Sequence, residues 1–384
     1  MNRVKFGDVV VRANTKEDKD NTEKKYYLDG QYFEGEELEV EKGSPLKGAT
    51  IGPMFYFGFK SGQVLFMSRS FAIQKAAVAR FDGICSEKTF VLETKNPSIL
   101  LQEYLIFILQ NQHFWDYCEE NKSGSVNFFI NWSTLEKYEF DLPDIEVQKK
   151  ISDCLWSAYE VKKSYRKMIS SIDEMVKSQF ISQFGFPQDG AEKYPSATIE
   201  SLLQETISGE WGTDCSDDSG TKVIRTTNFT NEGVLDLTDV VVRTIDAKKV
   251  EKKQLKKGDI ILEKSGGTKD NPVGRLVYFE EDGVFLANNF TQVLRPAEGI
   301  NSRYLFAALY YLYQTHKPLI KGLGNQTNGI QNLKVPQYLQ LQISVPDRTA
   351  QDDFESICRQ ADKSKFELKQ AIEKIDKVMR ALMQ

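Results

Sequence analysis

The side chains best placed for chemistry in this chain are amides, hydroxyls and cations rather than nucleophiles. The stretch KGLGNQTNGIQN, residues 321–332, sets Lys321, Asn325, Gln326, Thr327, Asn328 and Gln331 among glycines. Amides and hydroxyls on such a loop can reach base edges in a DNA groove, while lysine pairs with phosphate. A shorter run, NKSGSVNF, offers Lys122, Ser123, Ser125 and Asn127 at the matching place in the first half of the chain. Residues 246–275 hold nine Lys/Arg against five Asp/Glu, and within them EKSGGTKDNPVGR presents Lys264, Ser265, Thr268, Lys269 and Arg275 on a polar loop. In SRSFAIQKAAVAR, Arg69, Lys75 and Arg80 are spaced to meet phosphates. Residues 17–41, with ten acids against three lysines, would be repelled by DNA and are expected to face away from it. The plain alternative for each polar stretch is a solvated surface loop.

Chemistry of other kinds lacks its residues. No Pro-Pro pair exists to grip a flipped adenine, and no Gly-Lys-Ser/Thr exists to cradle a nucleotide phosphate. Ser265 has no G-x-S-x-G context, so little in the sequence supports reading it as a nucleophile. The two histidines, His113 and His316, stand 203 positions apart and are expected to be equivalent structural residues at the ends of equivalent helices. Five widely spaced cysteines form no CxxC pair, which disfavours zinc and suggests reduced thiols in a cytoplasm. No stretch has the apolar length of a membrane span, and no secretory leader is expected. The net charge of −5 does not signal DNA binding, so local patches must carry it.

The elements that position these loops are announced by a repeat. LPDIEVQKKI (142–151) recurs as VPDRTAQDDF (345–354), with Pro143 and Pro346, Asp144 and Asp347, and Gln148 and Gln351 all offset by 203. After each proline two apolar seams recur every seven residues, which specifies two long helices. The pairing residues expected on them are Ile151, Leu155, Tyr165, Ile169, Ile172 and Val176 on the first, and Phe354, Leu368, Ile372, Ile375 and Met379 on the second. Proline is expected in the first helical turn, with Asp144 or Asp347 as the cap. Short β-branched and aromatic runs such as GQVLFMS and GDIILEKS read as strands in both intervening segments. The expected architecture is α+β: globular domains at 1–142 and 188–345, alternating with helical spacers at 143–187 and 346–384 that pair as an antiparallel coiled coil.

This order of elements, with its P-x-x-x-x-Q helix openings and the second-half run VIRTTNFTNEGVLDL, LKKGDIILEKSGG and VGRLVYF, resembles the specificity subunit of type I restriction-modification systems. The resemblance implies a non-catalytic subunit with two target-recognition domains, held in opposite orientation by the helices, that reads a split site in double-stranded DNA. It also implies two methyltransferase (M) subunits as partners, with restriction (R) subunits able to join. S-adenosylmethionine, and ATP with magnesium, would belong to those partners and not to this chain. A two-module protein-binding scaffold, or a specificity protein of another methylation-based defence system, are the alternatives.

Overall fold

The runs GQVLFMS and GDIILEKS become strands Val64–Met67 and Ile260–Glu263, each central to a sheet. The computed structural model describes residues 2–35, 37–69, 71–191, 193–215, 219–268, 271–327 and 330–383. Two units form: Met1–Lys167 with Leu368–Gln384, and Met168–Glu367.

In the first unit the main sheet has the order Val10–Ala13, Thr89–Thr94, Val64–Met67, Ala76–Ala79, Glu39–Val40. Successive side chains of a strand point to opposite faces. Val64 and Phe66 therefore enter one core with Phe6, Phe90, Leu105 and Ile106, while Leu65 enters another with Leu28, Phe59 and Val91. A smaller sheet of four strands, Ser44–Pro45, Tyr26–Leu28, Gly83–Ser86 and Phe55–Phe59, contributes to the second core. Helices α1 (Gln102–Leu109) and α2 (Gln112–Glu120) and the first half of α3 (Ile145–Gln183) complete the unit.

The second unit repeats this plan. Its main sheet runs Leu203–Ser208, Thr291–Pro296, Ile260–Glu263, Leu276–Tyr278, and Ile260 and Leu262 face a different core from Ile261. Helix α4 (Ala247–Lys253) lies in the basic stretch, and α5 (Ser302–Thr315) with α6 (Lys317–Gly322) correspond to α1 and α2. Each unit is also closed by a strand pair: Asn2–Lys5 with Glu139–Leu142, and Ser196–Thr198 with Gln342–Ser344. The second member of each pair leads into a long helix, α3 or α7 (Arg348–Met383).

The repeated motif has one structural explanation in both copies. Gln148 and Gln351 are fully buried, and each Nε2 donates to its own proline carbonyl, Pro143 or Pro346, at 2.8 Å. Their Oε1 atoms accept from the amides of Leu101 (3.0 Å) and Asn301 (2.8 Å), the residues that cap α1 and α5. The prolines sit one position before the capping aspartate rather than inside the first turn. Their carbonyls are needed there by the glutamines. Asp347 accepts from Ala350 N through Oδ1 at 2.9 Å, and the amides of Val147 and Gln148 donate to the Asp144 carbonyl. Helix α3 ends where Gly185 turns left-handed (φ +64°), a conformation a side chain would strain.

Both long helices are shared between the units. In the first, Ile151, Leu155 and Tyr159 of α3 pack in the same core as Ile375 and Met379 of α7. In the second, Ile172, Val176, Phe180 and Phe184 of α3 pack with Phe354, Cys358 and Ala361 of α7. Lys162 pairs with Asp376 at 2.6 Å in the first unit and Lys365 with Asp173 at 2.8 Å in the second. Both partners in the second pair are offset by 203 from those in the first. Tyr165, Ile169, Leu368 and Ile372 are half-buried and belong to neither core. Among the described residues no helix is long and apolar enough to cross a membrane.

The histidines are not equivalent. Helix α1 has eight residues and α5 fourteen, so the turn after each falls at a different offset. His113 is exposed in the first turn of α2, whereas His316 closes α5, with Nε2 3.0 Å from Asp189 and Nδ1 2.8 Å from the Thr315 hydroxyl.

Candidate nucleic-acid interface

The two polar loops of the second half meet in one small sheet. Strand Ile330–Leu333 pairs with Gly324–Thr327 on one side and with Ser265–Gly266 on the other, in the register Ser265↔Asn332↔Asn325. Ser265 Oγ lies 2.8 Å from Asn332 Oδ1, and Gln331 Nε2 donates to the Thr268 carbonyl at 3.2 Å. Lys321, Asn325 and Thr268 are exposed around this hairpin. Gln326 and Thr327 lie on its first strand, and the expected contacts Lys269 and Asn328 lie outside the described residues.

The first half builds the same motif with less regular structure. Ser123 and Phe129 exchange two backbone hydrogen bonds, 2.7 and 3.0 Å, and Phe129 also bridges to Arg69. The turn they close carries Ser125, Val126 and Asn127, all exposed. Two cations stand over its aromatic rings: the Lys122 ammonium 4.4 Å from Phe128 and the Lys88 ammonium 5.3 Å from Phe129. Lys88 was not among the sequence candidates, since it falls between strands with no basic neighbours. Only the fold brings it to the hairpin.

Lys122 and Lys88 also pair with Glu119 and Glu87, and several further cations have internal work. Arg275 is bidentate to the buried carboxylate of Glu263, at 2.8 and 2.9 Å, and donates to the carbonyls of Thr226 and Phe229. The Glu263 hydrogen bonds hold its pKa above the ordinary arginine value. Lys75 donates to the Gly30 carbonyl at 2.7 Å, and Arg80 binds Glu39 while its guanidinium lies 5.1 Å from the Trp156 ring of α3. Of the basic run, Lys249 and Lys253 bind Glu210, and Lys257 binds Asp282. The Lys253 hydrogen bond, then that of Lys249, holds the Glu210 carboxyl below its usual range. Lys248, Lys252 and Lys256 remain exposed. Burial, with the charge of Lys253 behind it, lowers the Lys264 pKa, because both disfavour its charged form.

The acidic segment is held against α3. Tyr159 donates to Glu37 Oε2 at 2.8 Å, Lys163 bridges Glu39 at 2.6 Å and Glu41 at 2.5 Å, and Arg166 binds Glu37. Burial disfavours the Lys163 charge, but the two carboxylates overcome it and hold its pKa above the ordinary lysine value. Three of the ten acids of residues 17–41, Glu37, Glu39 and Glu41, are thus paired within the unit. Among the described residues no cluster of three or more His, Cys, Asp or Glu is arranged to hold a metal.

The family described as Type I restriction modification DNA specificity domain matches residues 4–164 and 206–377. Two solved chains are similar over all of this one. The first is from work on the structural basis underlying complex assembly and conformational transition of the type I R-M system, at 15% identity over 96% of its length with a TM-score of 0.58. The second is a type I restriction-modification system S subunit from M. genitalium, at 14% identity over 94% of its length with a TM-score of 0.57. At these identities the likeness concerns the fold. No curated protein sequence matches.

Proposed function

We propose, from the premise that this chain belongs to the type I restriction modification DNA specificity family, that its two hairpin patches each read one half of a bipartite DNA target. The chain is a DNA target-recognition subunit and not itself an enzyme; catalysis lies with a partner methyltransferase, and the family role requires no cofactor on this chain. The recognition domains are 1–142 and 188–345, and the helical spacers 143–187 and 346–384 set the unread gap. Two M subunits flank the chain, R subunits join for restriction, and S-adenosylmethionine and ATP with magnesium bind those partners. The assembly works on cytoplasmic DNA.

The observation that carries this reading is the same construction in both units: a hairpin with exposed amide or hydroxyl groups and lysines, docked on the end of a central sheet strand. A two-stranded ribbon fits the major groove, where each base pair presents a distinct pattern of donors and acceptors. In this proposal Lys122, Ser125 and Asn127 contact the first half-site, with Arg69 and Ser123 supporting them. Lys264, Ser265, Thr268, Lys321 and Asn325 serve the second half-site. Gln331 positions Thr268, and Lys75, Arg80 and Arg275 support the domains from within.

The test is methylome sequencing of cells expressing this chain with its methyltransferase partner, beside cells expressing the methyltransferase alone. A new split motif is expected, and replacing residues 1–142 by another recognition domain should change one half of it only. An active complex that methylates no new site would overturn the reading.

A further inference from the structure

The turn of the first hairpin carries an apolar side chain where a solvated loop would carry a polar one. Val126 is 84% exposed, more than any other large hydrophobic residue among those described. Burying such a group against an apolar surface would gain the stabilisation that exposure forgoes. The tip is held in place from both sides. Ser123 and Phe129 close it, Ile130 N donates to the Ser68 carbonyl at 3.0 Å, and Gly124 has a φ of +95°, with the Asn127 carbonyl 2.8 Å from where a Cβ would stand. Lys122 and Lys88 lie behind it over Phe128 and Phe129, each also ion-paired, with Glu119 and Glu87. Given the DNA-reading role stated above, the counterpart is DNA, and an apolar apex meets a base rather than a phosphate.

The second unit also exposes an apolar side chain on its hairpin: Ile330 is 45% exposed on a strand paired with the one that carries Asn325. The one aliphatic group that DNA presents in the major groove is the C5 methyl of thymine. We propose that Val126 reads a thymine, packing its isopropyl group on that methyl in the half-site bound by the first unit. Asn127 then faces the adjoining base edge and Lys122 the phosphate. This inference rests on the DNA-reading role stated above and adds a base to it.

The experiment uses the complete complex with its methyltransferase subunits. Its duplexes carry the target found by methylome sequencing, with each dT of the half-site assigned to residues 1–142 replaced in turn by dU. The wild type should lose about fourfold in affinity at one position, the worth of one methyl group in apolar contact. Val126→Ala should bind dT and dU duplexes nearly alike there, with salt dependence unchanged, because its phosphate contacts remain. A wild-type complex indifferent to every dU in that half-site, a half-site without any T·A pair, or a Val126→Ala complex with the full dU penalty would each overturn the inference. A wild-type complex with no specific target at all would instead remove the DNA-reading role on which it rests.

Discussion

Gln148 shows how much one side chain does in this chain. Its buried amide satisfies two carbonyls and one backbone amide, joining the start of α3 to the cap of α1. Gln148→Ala should leave those groups unpaired and cost about 2–3 kcal/mol. For a unit of this size that lowers Tm by roughly 5–10 °C, measurable by calorimetry; an unchanged Tm would refute the clamp. Glu210 makes a prediction about pH. Its folded pKa lies below the ordinary 4.5, so its contribution is present above pH 4.5 and fades as pH falls through the folded value. Wild type should therefore melt above Glu210→Gln near neutrality, and the difference should shrink in acid. Both glutamines could be read in the sequence because they sit in a repeat. Neither the Glu210 clamp nor the Glu263–Arg275 pair could be, since their partners are brought together by strand packing and not by spacing.

Among the elements, the long helices were the most legible, because a seven-residue period survives without knowledge of tertiary structure. Their full role was less so. The ends of the seams, Leu155 and Met379 or Val176 and Phe354, are consumed by domain cores, while residues in the middle stay half-buried. The two equivalent ion pairs provide an internal comparison. The Lys162 side chain is 3% exposed and that of Lys365 is 23% exposed. Double-mutant cycles with Lys→Met and Asp→Leu should give the larger coupling for Lys162–Asp376, because a pair out of water is screened less. Equal couplings would mean that burial does not distinguish them. The strands were visible as apolar runs, but their correspondence was hidden. Val64 and Ile260 are 196 residues apart and Pro143 and Pro346 are 203 apart, as loops of different length intervene.

At the scale of the whole molecule, the two units are built to one plan that the sequence shows plainly only where each copy ends. The first unit draws on both ends of the described chain, since residues 368–383 of α7 supply Ile375 and Met379 to its core. That arrangement has a consequence for the order of events at the ribosome. Residues 368–383 emerge only after 168–367 have been made, so the second unit has its complete contact set first. The unit begun earliest is the last to close. During synthesis it stands with Leu155 and Tyr159 partly uncovered, and a released chain truncated after residue 367 should be cut by protease in the first unit while the second resists.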